Sequence, residues 1–297
     1  MKLKTINSIL TNKLNHWLNS IEDKAVRELA RNNTIITGGS IVSLLTNQPV
    51  NDYDLYFRTK EATLAVANYY VQKYLKDTGQ NAEDAGMKVM DLDDRVKVVI
   101  QSVGVASTSE GEVRFETDPQ EAELADAEAA IGAAKEMAEK DKPKYRPVYI
   151  TSNAITLSDK IQLVIRFFGE PEAIHLNYDF QHCVGYFTSW DKKTIVPNET
   201  YECILNKELR YRGSLYPICS IIRSRKFIER GWHINAGQYL KMCLQVNKLD
   251  LTDIKVLEDQ LVGVDSSFFK MLIDALKNTD LKAVDSSYIC EIIDRIF

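Results

Sequence analysis

The sequence predicts an α+β fold: a mixed sheet with helices between its strands, an acidic insertion, and a helical C-terminal domain. Three observations predict it. Short β-branched or alternating runs at 34–37, 52–58, 96–103 and 145–151 lie between stretches of helical periodicity. From Glu110 to Asp141 there are 11 acidic and 3 basic residues, a net −8, with alanine in most of the gaps; such a segment has little apolar surface to bury and reads as a surface insertion. From about Tyr216 onward the pattern is mainly helical. The expected organisation is a domain over 1–205, with the insertion at about 105–145, and a helical domain over 206–297.

In order, one or two amphipathic helices are expected between Asn7 and Arg31. A short strand, Thr34 to Thr37, empties into Gly38-Gly39-Ser40, and a brief helix from Ile41 to Thr46 ends near Pro49. Asp52 to Arg58 reads as a strand, Lys60 to Lys76 as a helix, and Val96 to Val103 as a strand. Tyr145 to Thr151 resumes the sheet. Ser158 is a good N-cap, so a helix is expected through Phe168, stopped by Gly169 and Pro171. Ile174 to Phe187 is expected as one long strand, because His175, Asn177, Asp179 and Gln181 are polar while the residues between them are apolar or aromatic.

Composition excludes several classes. With 37 Lys+Arg against 42 Asp+Glu, the net charge of −5 does not suit a general polyanion binder. No apolar run approaches the roughly 18 residues of a membrane span, and the first residues are too polar for a signal peptide. Five scattered cysteines without a CxxC pair point to reduced thiols and a cytoplasmic setting.

The stretch that carries chemistry runs from Ile35 to Phe57. Two glycines allow close backbone approach, and a helix start offers unpaired N–H groups to phosphate. Ser40 adds a hydroxyl. Asp52-Tyr53-Asp54 follows on a strand, where a period of two puts both carboxylates on one face and Tyr53, Leu55 and Phe57 on the other. Two adjacent aspartates repel unless a cation lies between them, which suits Mg²⁺ or Mn²⁺.

A Gly-Gly-Ser turn followed by D-x-D on a strand resembles the polymerase-β-like nucleotidyltransferase superfamily. The resemblance implies that Gly38, Gly39 and Ser40 hold the phosphates of a nucleoside triphosphate and that Asp52 and Asp54 ligate divalent metal ions. It also implies a third carboxylate on a neighbouring strand. Asp179, the one acid on the polar face of its expected strand, is favoured for that place over Asp91 and Asp93, which read as a polar turn. A second resemblance, over KYRPVYITSNAITLSDKIQLVIRFFGEPEAIHLNYDFQHC and YPICSIIRSRKFIERGW, is to a group of tailed-bacteriophage proteins. It implies a phage origin, and so the host cytoplasm or the virion as location.

His182 falls on the apolar face and reads as a core histidine, with His175 on the polar face beside Asp179. Between Asn206 and Lys248 there are 9 basic and 2 acidic residues. On a helix, Arg223, Lys226 and Arg230 share a face that could hold triphosphate or acceptor phosphates, while Ile218, Ile221, Ile222 and Ile228 are available for burial and Arg225 can pair with Glu229. The expected function is metal-dependent transfer of a nucleoside monophosphate from an NTP to an acceptor hydroxyl on RNA, protein or a small molecule. The competing expectation is a catalytically inactive fold of the same kind that binds a partner.

Overall fold

The computed structural model describes residues 1–79, 86–92, 95–100 and 143–251, with 253, 256 and 260. Most of the acidic insertion, and Asp93 with it, lies outside the described residues. Those described form two compact units that divide after Asn206.

In the first unit, helix α1 (Leu3–Asn19) buries Ile6, Leu10, Leu14, Trp17 and Leu18, a stripe at helical spacing. Helix α2 (Lys24–Asn33) starts where the Asp23 carboxylate accepts from the N–H groups of Ala25 and Val26 at 2.8 and 3.1 Å. Strand β1 (Thr34–Thr37) is buried along its whole length. After it come α3 (Gly39–Leu45), β2 (Tyr53–Phe57) and α4 (Lys60–Thr78). Thr59 caps the start of α4, and Gly79, in the left-handed region at φ 69°, closes it.

The main sheet is completed by β5 (Pro147–Ile150), β6 (Ala154–Leu157), β7 (Ile161–Phe168), β8 (Tyr186–Thr188) and β9 (Lys193–Ile195), in the order β5-β6-β7-β2-β1-β8-β9. Strand β2 pairs antiparallel with β1 and parallel with β7. One face carries the core: Ile36, Leu55, Leu163, Ile155 and Phe187 pack with residues of α1 and α4. The fold is the expected mixed α+β one, with the two central strands leading into and out of the glycine turn.

Three local expectations are corrected. Ser158 does not cap a helix. It lies in the turn between β6 and β7, where Asp159 and Lys160 take φ 61° and 60°, and 161–168 is a strand. Ile161, Leu163 and Ile165 are buried while Gln162, Val164 and Arg166 are less so, and that alternation outweighs the cap signal. Nor is 174–187 one strand. Pro171 opens a short helix α5 (Pro171–His175), a turn follows, Gln181–Cys183 forms a 3₁₀ turn, and only Tyr186–Thr188 enters the sheet. Finally, Val96–Ile100 (β4) pairs with Met87–Asp91 (β3) in a separate hairpin instead of joining the main sheet.

In the second unit, α6 having closed the first (Asn198–Asn206), the described helices are α7 (Pro217–Glu229) and α8 (Ala236–Val246). The buried positions of α7 are Pro217, Cys219, Ser220 and Ser224, whereas Ile221 and Ile228 are exposed. The isoleucines offered for burial are thus partly on the outside. Small residues on the inner face allow close approach, and the Cys219 thiol reaches the carbonyl of Gln260 at 2.5 Å. Arg225 pairs with Glu229 at 3.1 Å, as its i,i+4 spacing predicts. No helix among the described residues is long and apolar enough to cross a membrane.

Candidate functional site

The site begins at the end of β1. Gly38 takes φ 85°, ψ −148°, a conformation closed to side-chain-bearing residues. A Cβ there would lie 3.1 Å from Asp54 Oδ2 and 3.5 Å from the Tyr178 hydroxyl. At Gly39 a Cβ would meet nothing within 4 Å, so this backbone faces open space. Ser40 is buried, and its hydroxyl makes no hydrogen bond.

Thr37, just before the turn, is held from two sides. Its hydroxyl donates to the Gly185 carbonyl at 2.8 Å, and His175 Nε2 lies 2.8 Å from the same oxygen. The single hydroxyl proton is committed to Gly185, so His175 must donate from Nε2, which sets its tautomer. The imidazole in turn packs against Tyr178 and Tyr186, with centroids 5.0 and 5.6 Å away.

Asp54 stands in register with Thr37 on β1 and with Gln162 on β7. Burial, with the nearby charge of Asp52 as a lesser cause, pushes its carboxyl up to about 7. Asp52 precedes the strand and is exposed. Tyr53, Leu55 and Phe57 turn to the core, as the alternation requires. Tyr56 lies on the Asp54 side and packs on Tyr178 with centroids 6.1 Å apart. Burial, with Tyr56 and Asp54 adding to it, raises the Tyr178 phenol well above its usual range. Tyr178 therefore roofs the Gly38–Asp54 contact as a neutral, proton-bearing group.

Behind β2, Lys13 lies over the rings of Tyr53 and Tyr145 at 5.2 and 5.1 Å and donates to the Asp159 carbonyl. Burial lowers its pKa, and Lys160 and Lys144 add to the effect.

The structure thus brings Gly38 and Asp54 into contact, with Gly39 and Ser40 continuing the turn and Asp52 close enough to perturb Asp54. Asp179 sits buried in the turn after α5 and not on a strand. Among the described residues no group of three or more His, Cys, Asp and Glu side chains is gathered to hold a metal. Strands β1 and β7, which flank Asp54, contain neither Asp nor Glu. Arg223 and Lys226 both belong to α7 of the second unit, Arg223 partly buried and Lys226 exposed.

His175 is a buried partner of Thr37, not a group on an open polar face. His182 is buried, and desolvation drops its pKa to about 3, which keeps it neutral. Sequence reasoning missed Tyr178, assigned to an apolar strand face, and Thr37 and Gln162, which carry no local signal and acquire meaning only from strand register.

The mixed sheet thus delivers a Gly-Gly-Ser turn against a D-x-D strand, the arrangement expected from the sequence motifs. Residues 8–207 match the Gabija anti-defense 2 family protein model, and the chain belongs to that family. A curated relative, "Gabija anti-defense 2" of Bacillus phage SPbetaL7, is 20% identical over 285 residues, covering 92% of this chain and 52% of the relative. The chain therefore spans about half the length of that relative. Among solved structures, the Thermotoga maritima CCA-adding enzyme complexed with tRNA is 12% identical, covers 88% of this chain and 54% of its own, and superposes with a TM-score of 0.39. A CCA-adding enzyme in complex with CTP is 12% identical, with 95% and 53% covered and a TM-score of 0.41.

Proposed function

We propose that the first unit binds a nucleoside triphosphate with a divalent cation and transfers the nucleoside monophosphate to an acceptor hydroxyl, in the service of phage anti-defence. The observation that carries this reading is the buried Ser40 hydroxyl without a hydrogen-bond partner, next to a glycine backbone that faces open space. A buried hydroxyl left unpaired costs about 1–3 kcal/mol, a cost that a phosphate oxygen would remove. The family's anti-defence name supplies the biological setting.

Asp52 and Asp54 suit a cation. Their mutual repulsion is part of what raises the Asp54 carboxyl, and a dication would relieve it. Bound there, the cation would supply charge neutralisation and Lewis-acid polarisation of a phosphoryl oxygen. The protein's own groups do the positioning. Gly38 and Gly39 let phosphate approach the backbone, Ser40 donates to a phosphate oxygen, and Tyr178 keeps Asp54 out of bulk water. Thr37, anchored by His175 and Gly185, fixes where the turn leaves the sheet.

The test is a transfer assay on wild type and the Asp52→Ala/Asp54→Ala double variant, with the four α-labelled NTPs, Mg²⁺ or Mn²⁺, and bacterial RNA or protein as acceptor. Label transferred by wild type alone is expected, and it would name the acceptor. Equal labelling by the double variant would overturn the assignment of the aspartates.

A further inference from the structure

Strand order places a group of cationic side chains on one flank of the aspartate pair. The end of β1, the start of β2, the start of β7, the end of β6 and the start of β5 lie at one end of the sheet, because β2 and β7 are parallel and the other pairings among them antiparallel. Strand β2 lies between β1 and β7. Asp52, just before β2, therefore has the glycine turn on one flank. On the other it has the β6–β7 turn with Lys160, and beyond that Lys144 and Arg146, just before β5.

Hydrogen bonds hold this flank together. The Tyr53 N–H donates to the Lys160 carbonyl at 2.9 Å, and Lys160 Nζ donates to the Val50 carbonyl at 3.0 Å. Arg146 and Ser158 are joined by two bonds, of 2.9 and 3.2 Å. Lys13 reaches the same place from α1, its ammonium over the rings of Tyr53 and Tyr145 and donating to the Asp159 carbonyl. The cations crowd one another: Lys160 and Lys144 both disfavour the charged form of Lys13. Asp159 and Asp52 act in the opposite sense, yet among the described residues none of Lys13, Lys144, Arg146 and Lys160 is in an ion pair. Arg146 Nε is buried and makes no hydrogen bond. Mutual repulsion and a buried donor without an acceptor are both costs that one bound anion removes.

An in-line displacement puts the entering and leaving oxygens on opposite sides of the transferred phosphorus. With the nucleotide's outer phosphates on the glycine turn, the acceptor hydroxyl enters from the opposite flank. We infer that Lys13, Lys144, Arg146 and Lys160 bind a phosphate of the acceptor, which makes the acceptor a nucleotide or a nucleic-acid end instead of an uncharged molecule. The inference rests on the nucleotide reading above and adds the acceptor's chemical class to it. The planar guanidinium of Arg146 matches a pair of phosphate oxygens. Lys13, held against two tyrosine rings, is already positioned, and the exposed Lys144 and Lys160 add charge at the rim.

Probe binding tests this without relying on turnover. The full chain is saturated with Mg²⁺ and an α,β-imido NTP analogue, then titrated with random-sequence RNA decamers, mixed nucleoside 5′-monophosphates and the uncharged nucleosides. Wild type should prefer the phosphate-bearing probes to the nucleosides. Lys144→Gln/Lys160→Gln should bind them about 10-fold more weakly, with a salt slope for the decamers about 1.4 smaller, and keep its affinity for the analogue. A loss confined to the decamers supports a strand as acceptor, and a loss shared by the monophosphates supports a single phosphate as sufficient. Equal affinity of both proteins for every probe, or a wild type indifferent to phosphate, would overturn the inference and leave the nucleotide reading intact. So would an equal loss of affinity for the analogue, which would give these cations to the nucleotide. Should the double variant not fold, Lys144→Glu, changed at one exposed position, carries the same comparison. Wild type that binds none of the four analogues would overturn the nucleotide reading itself, and the inference with it.

Discussion

Thr37 and His175, 138 residues apart in the chain, meet through a hydroxyl-to-imidazole hydrogen bond of 2.8 Å, directly beneath the glycine turn. The same hydroxyl also serves Gly185. Thr37→Val keeps the shape and removes both bonds, leaving a buried carbonyl and a buried imidazole N–H unpaired. A loss of about 2–4 kcal/mol is expected in urea unfolding, together with weaker nucleotide binding.

The two glycines should separate on mutation. Gly38→Ala forces a Cβ into φ 85° and to 3.1 Å from the Asp54 carboxylate, so it should lower stability by about 1–3 kcal/mol. Gly39→Ala meets nothing within 4 Å in the free protein. It should leave the melting temperature unchanged or slightly raised, yet abolish nucleotide binding measured by calorimetry.

Ser40→Ala removes a buried hydroxyl that has no partner in the free protein. Stability should hold or rise by up to about 1 kcal/mol, while nucleotide affinity falls about 10-fold. A loss of both together would mean that the hydroxyl serves the fold instead of a ligand.

Asp54 links the site to pH. Its carboxyl titrates near 7 when folded, against an ordinary 3.8. Between those values the folded protein holds a proton that the unfolded chain has released, so stability falls as pH rises from about 4 to 7. Asp54→Asn should therefore melt about 2–5 °C above wild type at pH 8, with the difference closing toward pH 4. A melting series across that range, without added metal, checks the sign.

His182 acts on the other limb. Its folded pKa of about 3 lies below the ordinary 6.5, so the unfolded chain takes up a proton that the folded one refuses. Stability is complete above 6.5 and falls as pH drops toward 3. His182→Leu should flatten that acid limb, reducing the protons taken up on unfolding at pH 5 by about one.

Much of this was legible in the sequence because the signals were local. The β1–turn–β2 segment could be read almost residue for residue: glycines mark the turn, and Tyr53, Leu55 and Phe57 alternate against Asp52 and Asp54. The 161–168 strand was obscured by Ser158, whose fitness as a helix cap competes with its use in a turn. The 174–187 region failed for the opposite reason. Its even alternation of polar and apolar residues is what a helix end, a turn and a 3₁₀ segment happen to present. Pro171 was the available warning, since it suits the first turn of a helix. Gln162 could not be singled out at all. Its meaning comes from lying beside Asp54 across a parallel pairing 108 positions long, and nothing in neighbouring residues reports on a partner so distant.

That pairing also bears on when the site comes into being. The antiparallel pairing of β1 with β2 needs only residues up to Phe57, and so short a separation favours its forming before the distant pairings. The rest of the floor waits for β7, and the anchor under the turn waits for His175 and Gly185. On the ribosome, a nascent chain that has not yet emerged beyond Thr188 presents the glycine turn without its supports. On the proposed reading, competence for phosphate would arrive late and all at once, when the strands from the far side of the insertion dock on a strand pair made long before them.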